Sequence, residues 1–258
     1  MSAMSHTNTT LSQSLRPLGR ITGVLYLIII VGGMYAGFVR PSLTTIGDPG
    51  ATAAAITASE GFFRSAILAD LAMVMADVAI GVAFYYLLKS THQGLALLSG
   101  LFRLAQAATL GLNLLMLFLV LQLLTGDVFA AAMGAESVNA MAYLFLTSHG
   151  IGYNLALVFF AFSILIQGYL FIKSDLFPSW LGFLVIAASL TYFVYTLASF
   201  FMPTFDAYAG GFEMMLVAIA LPVELAVTIW LLVRGVRGTS APAGNTQRSY
   251  AEAVLNAQ

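Results

Sequence analysis

The chain has 258 residues, of which 60% are hydrophobic and 8% charged, where an ordinary soluble domain is about a quarter charged. A soluble fold of this length cannot hide so much apolar surface, so lipid is the solvent for most of it. A formal net charge of -1 gives no electrostatic basis for binding nucleic acid, and the lack of cysteine excludes disulfides, thiolate metal sites and cysteine nucleophiles.

Residues 1–19 begin Ser/Thr-rich and polar and predict a disordered cytoplasmic arm without a cleaved signal. A spanning helix needs about 20 mostly apolar residues. Six runs qualify, at about 21–39, 66–88, 95–125, 141–172, 180–202 and 212–234. The expectation is an all-α polytopic membrane protein, a bundle of six transmembrane helices within residues 20–237. A polar tail, 238–258, is expected to be disordered.

Between the first two runs, Asp48-Pro49 precedes "GATAAAITASEGFFR". Asp suits a helix cap and Pro the first helical position, so a short interfacial helix is expected at about 49–60, seating Phe62 and Phe63 at the headgroup level. "VGGMYAGF" in the first run places Gly33 and Gly37 four apart, a spacing that lets another helix approach closely. "LFPSWLG" breaks the fourth run from the fifth, with Trp180 as an interface anchor. Pro222 is expected to kink the sixth run beside Glu224.

Lys and Arg in short loops set orientation. One side holds Arg16, Arg20, Lys89, Lys173, Arg234, Arg237 and Arg248; the other holds Arg40 and Arg64. Both termini are therefore expected in the cytoplasm. The loops 126–140 and 203–211, which lack Lys and Arg, are expected outside.

Ionisable side chains in hydrocarbon are costly and tend to face the bundle interior. At about 100° per residue, Asp70 and Asp77 share a face. So do Arg103, Gln106 and Asn113; His149, Tyr153, Ala156, Phe160, Ser163 and Gln167; and Glu213, Glu224 and Thr228. Asp77, Asn113, Asn154 and Glu224 fall near the middle of their runs. Asp70 and His149 lie about 10 Å toward the outside, at 1.5 Å per residue. Three layers result: an outer Asp70/His149 pair, a midplane layer of carboxylates, and an inner Arg103/Gln167 layer. Two carboxylates at one depth, Asp77 and Glu224, call for a shared proton or a cation. Asn113, Gln106, Asn154 and Gln167 also suit plain interhelical hydrogen bonds. Tyr192, Tyr195 and Ser199 form a further stripe that could join such a cavity or simply pack. Only His149 among the histidines lies inside a run, so no metal site or cofactor is expected.

The pieces "RITGVLYLIIIVGGMYAGFVR", "ASEGFFRSAILADLAMVMADVAIGVAFYYLL", "LFRLAQAATLGLNLL", "HGIGYNLALVFFAF", "FPSWLG" and "LPVELAVTIWLLVRGV" resemble a bacterial multi-pass membrane family known as domain of unknown function 4386, over roughly residues 16–236. That family often carries an Asp early in the segment matching "YFVYTLASF", where Tyr195 or Thr196 stands here. The resemblance implies a six-helix protein of the bacterial inner membrane and supplies no activity, substrate or cofactor.

Three functions are compatible with these residues. The first is a binding, transport or sensing protein for a small molecule or ion, with a polar cavity drawn from Asp70, Asp77, Arg103, Gln106, Asn113, His149, Asn154 and Glu224. The second is an accessory or scaffold subunit whose polar stripes only lock helices together. The third is an intramembrane enzyme using His149 with Asp70 as its acid/base pair.

Overall fold

Backbone N–H and C=O groups in lipid must be satisfied within the chain, and the apolar runs answer by forming helices. The computed structural model describes residues 2–236, and among them there are helices and no strands. Among the described residues five helices are long and apolar enough to cross a membrane.

Helix α1 covers Ser2–Ser42. It extends well N-terminal of the first apolar run, through residues for which disorder is expected, because neither glycine nor proline interrupts the sequence before Pro17. The expected tail, 238–258, lies outside the described residues. Helix α2, Pro49–Ala58, opens as its capping residues dictate: Asp48 accepts a hydrogen bond from the Ala51 N–H at 2.9 Å, and Pro49 starts the helix.

Helix α3 covers Glu60–Thr125, 66 residues. A straight helix of that length would measure about 100 Å, more than three times the hydrocarbon thickness of about 30 Å. It breaks at His92, whose backbone is extended (φ -160°, ψ 101°). The His92 Nδ1 accepts from the Leu95 N–H at 3.1 Å and so caps the second arm. The arms, 60–91 and 93–125, fold back on each other as a hairpin. They come close enough that a Cβ on Gly81 would lie 3.4 Å from the Arg103 Cβ, and one on Gly100 3.4 Å from the Gly81 carbonyl oxygen.

Helix α4 (Asp127–Met133) and the start of α5 (Ala135–Lys173) fill most of the stretch expected as an open loop, with Gly134 at positive φ between them. Helix α6 (Ser179–Phe201) starts after Pro178, which cannot continue α5. The last apolar run is built in three pieces: α7 (Phe205–Met215), a wide π turn (Leu216–Ala220), and α8 (Leu221–Arg234) with Pro222 in its first turn. The irregularity expected from Pro222 thus takes the form of a π turn. Pro222 has no N–H to give to the preceding turn, and the wider winding absorbs the loss.

Two apolar clusters close the ends of the bundle. One gathers Phe84, Phe171, Phe177, Leu181 and Leu231; the other gathers Val39, Ile56, Phe63, Leu117 and Leu121. Phe63 is thus a core residue, 1% exposed, while Phe62 remains outside, so the two neighbours do not both sit at the periphery. In a helix, adjacent side chains point about 100° apart, and only one of them can turn inward.

The close helix contact is elsewhere than Gly33 and Gly37. A Cβ on Gly37 would meet nothing within 4 Å, and one on Gly33 only the Met73 sulfur at 3.6 Å. It is Gly32 that faces the Ala69 carbonyl, at 3.2 Å, and Gly168 and Gly182 that bring α5 against α6. A Cβ on Gly182 would stand 2.9 Å from the Ile172 backbone nitrogen. Gly182→Val is therefore expected to destabilise the protein by about 1–3 kcal/mol through overpacking, read as a lower melting temperature in detergent. Gly37→Ala is expected to leave that temperature unchanged or raise it slightly.

Candidate functional site

Between the two apolar clusters the bundle turns polar. The arms of the α3 hairpin hold Asp77 and Arg103 opposite each other, and the Arg103 Nε lies 2.7 Å from the Asp77 Oδ1. Both side chains are almost wholly buried, at 1–2% exposed. Gln106, one turn beyond Arg103, donates its Nε2–H to the other Asp77 oxygen at 3.0 Å. The guanidinium stands over two aromatic rings, Phe160 at 4.7 Å and Tyr26 at 5.4 Å. Cation–π attraction supplements the single carboxylate there. Arg103 and Asp77 are close enough for a full ion pair but not well aligned for a hydrogen bond. The Gln106 Oε1 closes no hydrogen bond. The terminal Arg103 nitrogens, Nη1 and Nη2, close none of good geometry, with the Tyr26 hydroxyl beside them as a weak partner.

Glu224 approaches the same place from α8. Its Oε1 accepts the Tyr192 hydroxyl of α6 at 2.5 Å. Thr228, one turn on, bonds back to the Glu224 carbonyl at 2.7 Å. Asp77, Arg103, Gln106 and Glu224 together line one cavity of about 160 Å³, completed by Tyr26, Tyr153, Phe160 and Tyr192 and by aliphatic side chains that include Leu110 and Leu221. An engineered apolar cavity of about 150 Å³ holds one benzene, so this chamber has room for a molecule of that size. Gln167 lines a much smaller neighbouring space with Tyr26 and Glu224.

Of the eight residues expected to share a polar cavity, these four line one. Asp77 and Glu224 are not a bare pair of carboxylates, because Arg103 stands with Asp77 at the same level rather than in an inner layer of its own.

The other four lie apart from this cavity. Asp70 is bound by Arg40 near the end of α1. Among the described residues no direct hydrogen bond joins Asp70 to His149. The reason is competition: Arg40, counted as a loop residue, lies on α1 within reach and offers a full charge. His149 is buried, its carbonyl accepts the Asn113 Nδ2–H at 2.8 Å, and its ring tilts against Tyr153. Asn113 fits only because Gly152 leaves room; a Cβ at 152 would overlap the amide. Asn154 is half-buried beside Tyr195. Asn113 and Asn154 thus sit at helix interfaces, outside the chamber.

The Glu213–Glu224–Thr228 stripe also divides. Glu213 is exposed, while Glu224 turns inward. The π turn between them adds winding that a uniform step of 100° per residue does not contain. Tyr26 is a site residue that spacing does not single out, whereas Phe160 falls on the stripe from His149 to Gln167. Tyr192 belongs to a stripe with two possible fates, and a tyrosine at position 26 within an aliphatic run is the only signal for the first helix.

The family model described as "Domain of unknown function (DUF4386)" matches residues 21–235. An uncharacterized protein of Archaeoglobus fulgidus is 24% identical over 163 residues, covering 63% of this chain and 79% of that protein. No solved structure matches the chain. With the match running through every apolar helix and the whole polar chamber, the chain belongs to the DUF4386 family.

Proposed function

We propose that this protein crosses the plasma membrane of a bacterium six times, with both termini in the cytoplasm, and that its internal chamber binds a small molecule or ion for transport or sensing. The observation that carries this reading is the convergence of Asp77, Arg103, Gln106 and Glu224 on one cavity of about 160 Å³. Charged groups at this depth are costly in hydrocarbon, and a purely structural bundle has no need to gather several of them around open space. The hairpin at His92 supports six crossings, since it divides the longest of the five apolar helices into two arms. The excess of Lys and Arg near Arg16, Lys89, Lys173 and Arg234 supports cytoplasmic termini.

The pairs Arg40–Asp70 and Asn113–His149 favour a second reading, an accessory subunit in which polar groups only lock helices. The two readings differ in whether water reaches the cavity wall. The chain has no cysteine of its own, so single introduced cysteines report their surroundings cleanly, and methanethiosulfonate reagents attack only thiolates in contact with water. Leu110→Cys and Leu221→Cys, both on the cavity wall, are expected to react in intact vesicles. Leu117→Cys, fully buried in an apolar cluster, is expected to stay silent. Gly47→Cys and Gly94→Cys should label from opposite faces of the membrane. Silence at both 110 and 221 would leave the accessory reading standing.

Within the chamber the ion pair is the structural member. Asp77→Asn strands a buried guanidinium and is expected to cost about 3–5 kcal/mol, measured as lost thermal stability in detergent. Combining it with Arg103→Gln is expected to recover much of that loss. Glu224→Gln, which can keep a hydrogen bond with Tyr192, is expected to cost far less.

A further inference from the structure

The chamber's unmatched groups describe what would complete it. Of its three ionisable acidic and basic side chains, Asp77 and Arg103 pair directly, while Glu224 takes a single hydrogen bond from Tyr192 and feels the Arg103 charge at longer range. An anionic ligand would add a second unbalanced negative charge in a low-dielectric setting, where the Coulomb penalty is largest. A proton on Glu224 or a cation beside it balances the site, and a ligand that carries its own positive charge can take the proton's place.

The donor set suits an organic cation better than a hard metal ion. Hard metal ions take about six to eight oxygen ligands, and among the described residues no group of three or more His, Cys, Asp or Glu side chains could hold one. The cavity is also of benzene size, and its aromatic wall of Tyr26, Tyr153, Phe160 and Tyr192 suits an alkylammonium group.

The remaining polar atoms specify more. Gln106 gives its Nε2–H to Asp77, which fixes its amide with Oε1 as a buried acceptor lacking a donor. The Arg103 Nη1 and Nη2 are buried donors with only the Tyr26 hydroxyl beside them and no well-formed acceptor. Arg103 is 2% exposed and Gln106 5%, and both line the cavity. Unmet groups in such places are rare and costly. A ligand that satisfies them presents N–H donors for Glu224 and Gln106 and a neutral oxygen acceptor for Arg103.

We propose that the chamber selects a small organic monocation of this kind: a protonated primary amine that also carries a hydroxyl or amide oxygen. The proposal rests on the binding function given above and narrows it to a chemical class. Butanediol differs from aminobutanol only in the charged end, and hydroxybutyrate reverses the charge. The three form a matched set of probes of about the right size.

The test is calorimetric titration of the full chain in lipid nanodiscs with each probe. Aminobutanol is expected to bind, butanediol on the order of tenfold or more weakly, as befits one lost hydrogen bond to a charged group, and hydroxybutyrate weakest of all. Glu224→Gln is expected to abolish the preference for the amine over the diol. Tyr192→Phe, which leaves the carboxylate in place but removes the donor that orients it, is expected to reduce that preference; it provides a second reading should Glu224→Gln fold poorly. Tighter binding of hydroxybutyrate, or an amine preference that survives both substitutions, would overturn the proposal. If the cysteines at 110 and 221 label but no amine binds, the amine class falls and the chamber's binding role stands. If the cysteines stay silent and no amine binds, both fall together.

Discussion

An arginine in the middle of an apolar bundle has to be matched by charge, by hydrogen bonds or by polarisable surface, and Arg103 is matched chiefly by Asp77. The pair joins the two arms of the α3 hairpin, and Phe160 and Tyr26 flank the guanidinium. Gln106 then satisfies the second Asp77 oxygen and commits its own amide. This one interaction sets the level at which the chamber lies and the wall it is built against. It also leaves one carboxylate, that of Glu224, for other work.

The apolar clusters above and below the polar layer have a complementary task. They hold the helices at fixed distances with little help from polar bonds, through aromatic stacking such as Phe171 on Phe177 at 3.9 Å and through backbone contacts at Gly168 and Gly182. Polar interhelical bonds outside the chamber, Asn113 to His149 and Ser99 to Ser163, add registration. In this arrangement, beyond the Asp77–Arg103 pair, the chamber's side chains are free to be incompletely satisfied, because packing stability is carried largely by the apolar clusters.

Much of the architecture is legible in the sequence, for a simple reason. Hydrocarbon demands long apolar runs and helical backbone, so composition alone marks the helices, and Asp48-Pro49 announces a helix start through local chemistry that needs no partner. Which polar groups meet is less legible. Helical periodicity locates a side chain on a face, but it does not say which neighbour lies opposite or how a helix is turned. Depth pairs Asp70 with His149, yet Arg40 binds it instead. Uniform winding puts Glu213 and Glu224 on one face, and the π turn at Leu216–Ala220 separates them. Glycines four apart suggest contact at Gly33 and Gly37, yet the neighbouring Gly32 makes it. Asp77, Arg103 and Gln106 are easier to group, because they sit on the two arms of a hairpin, where sequence proximity and spatial proximity coincide.

That coincidence bears on how the protein is made. Asp77 and Arg103 are separated by one tight reversal at His92, so they lie on consecutive segments of the nascent chain. A lone guanidinium or carboxylate leaving the ribosome would be a poor candidate for entry into lipid. Delivered together, as the two legs of a preformed helical pin, they present the insertion machinery with a neutral couple and need not wait for the rest of the protein to be synthesised.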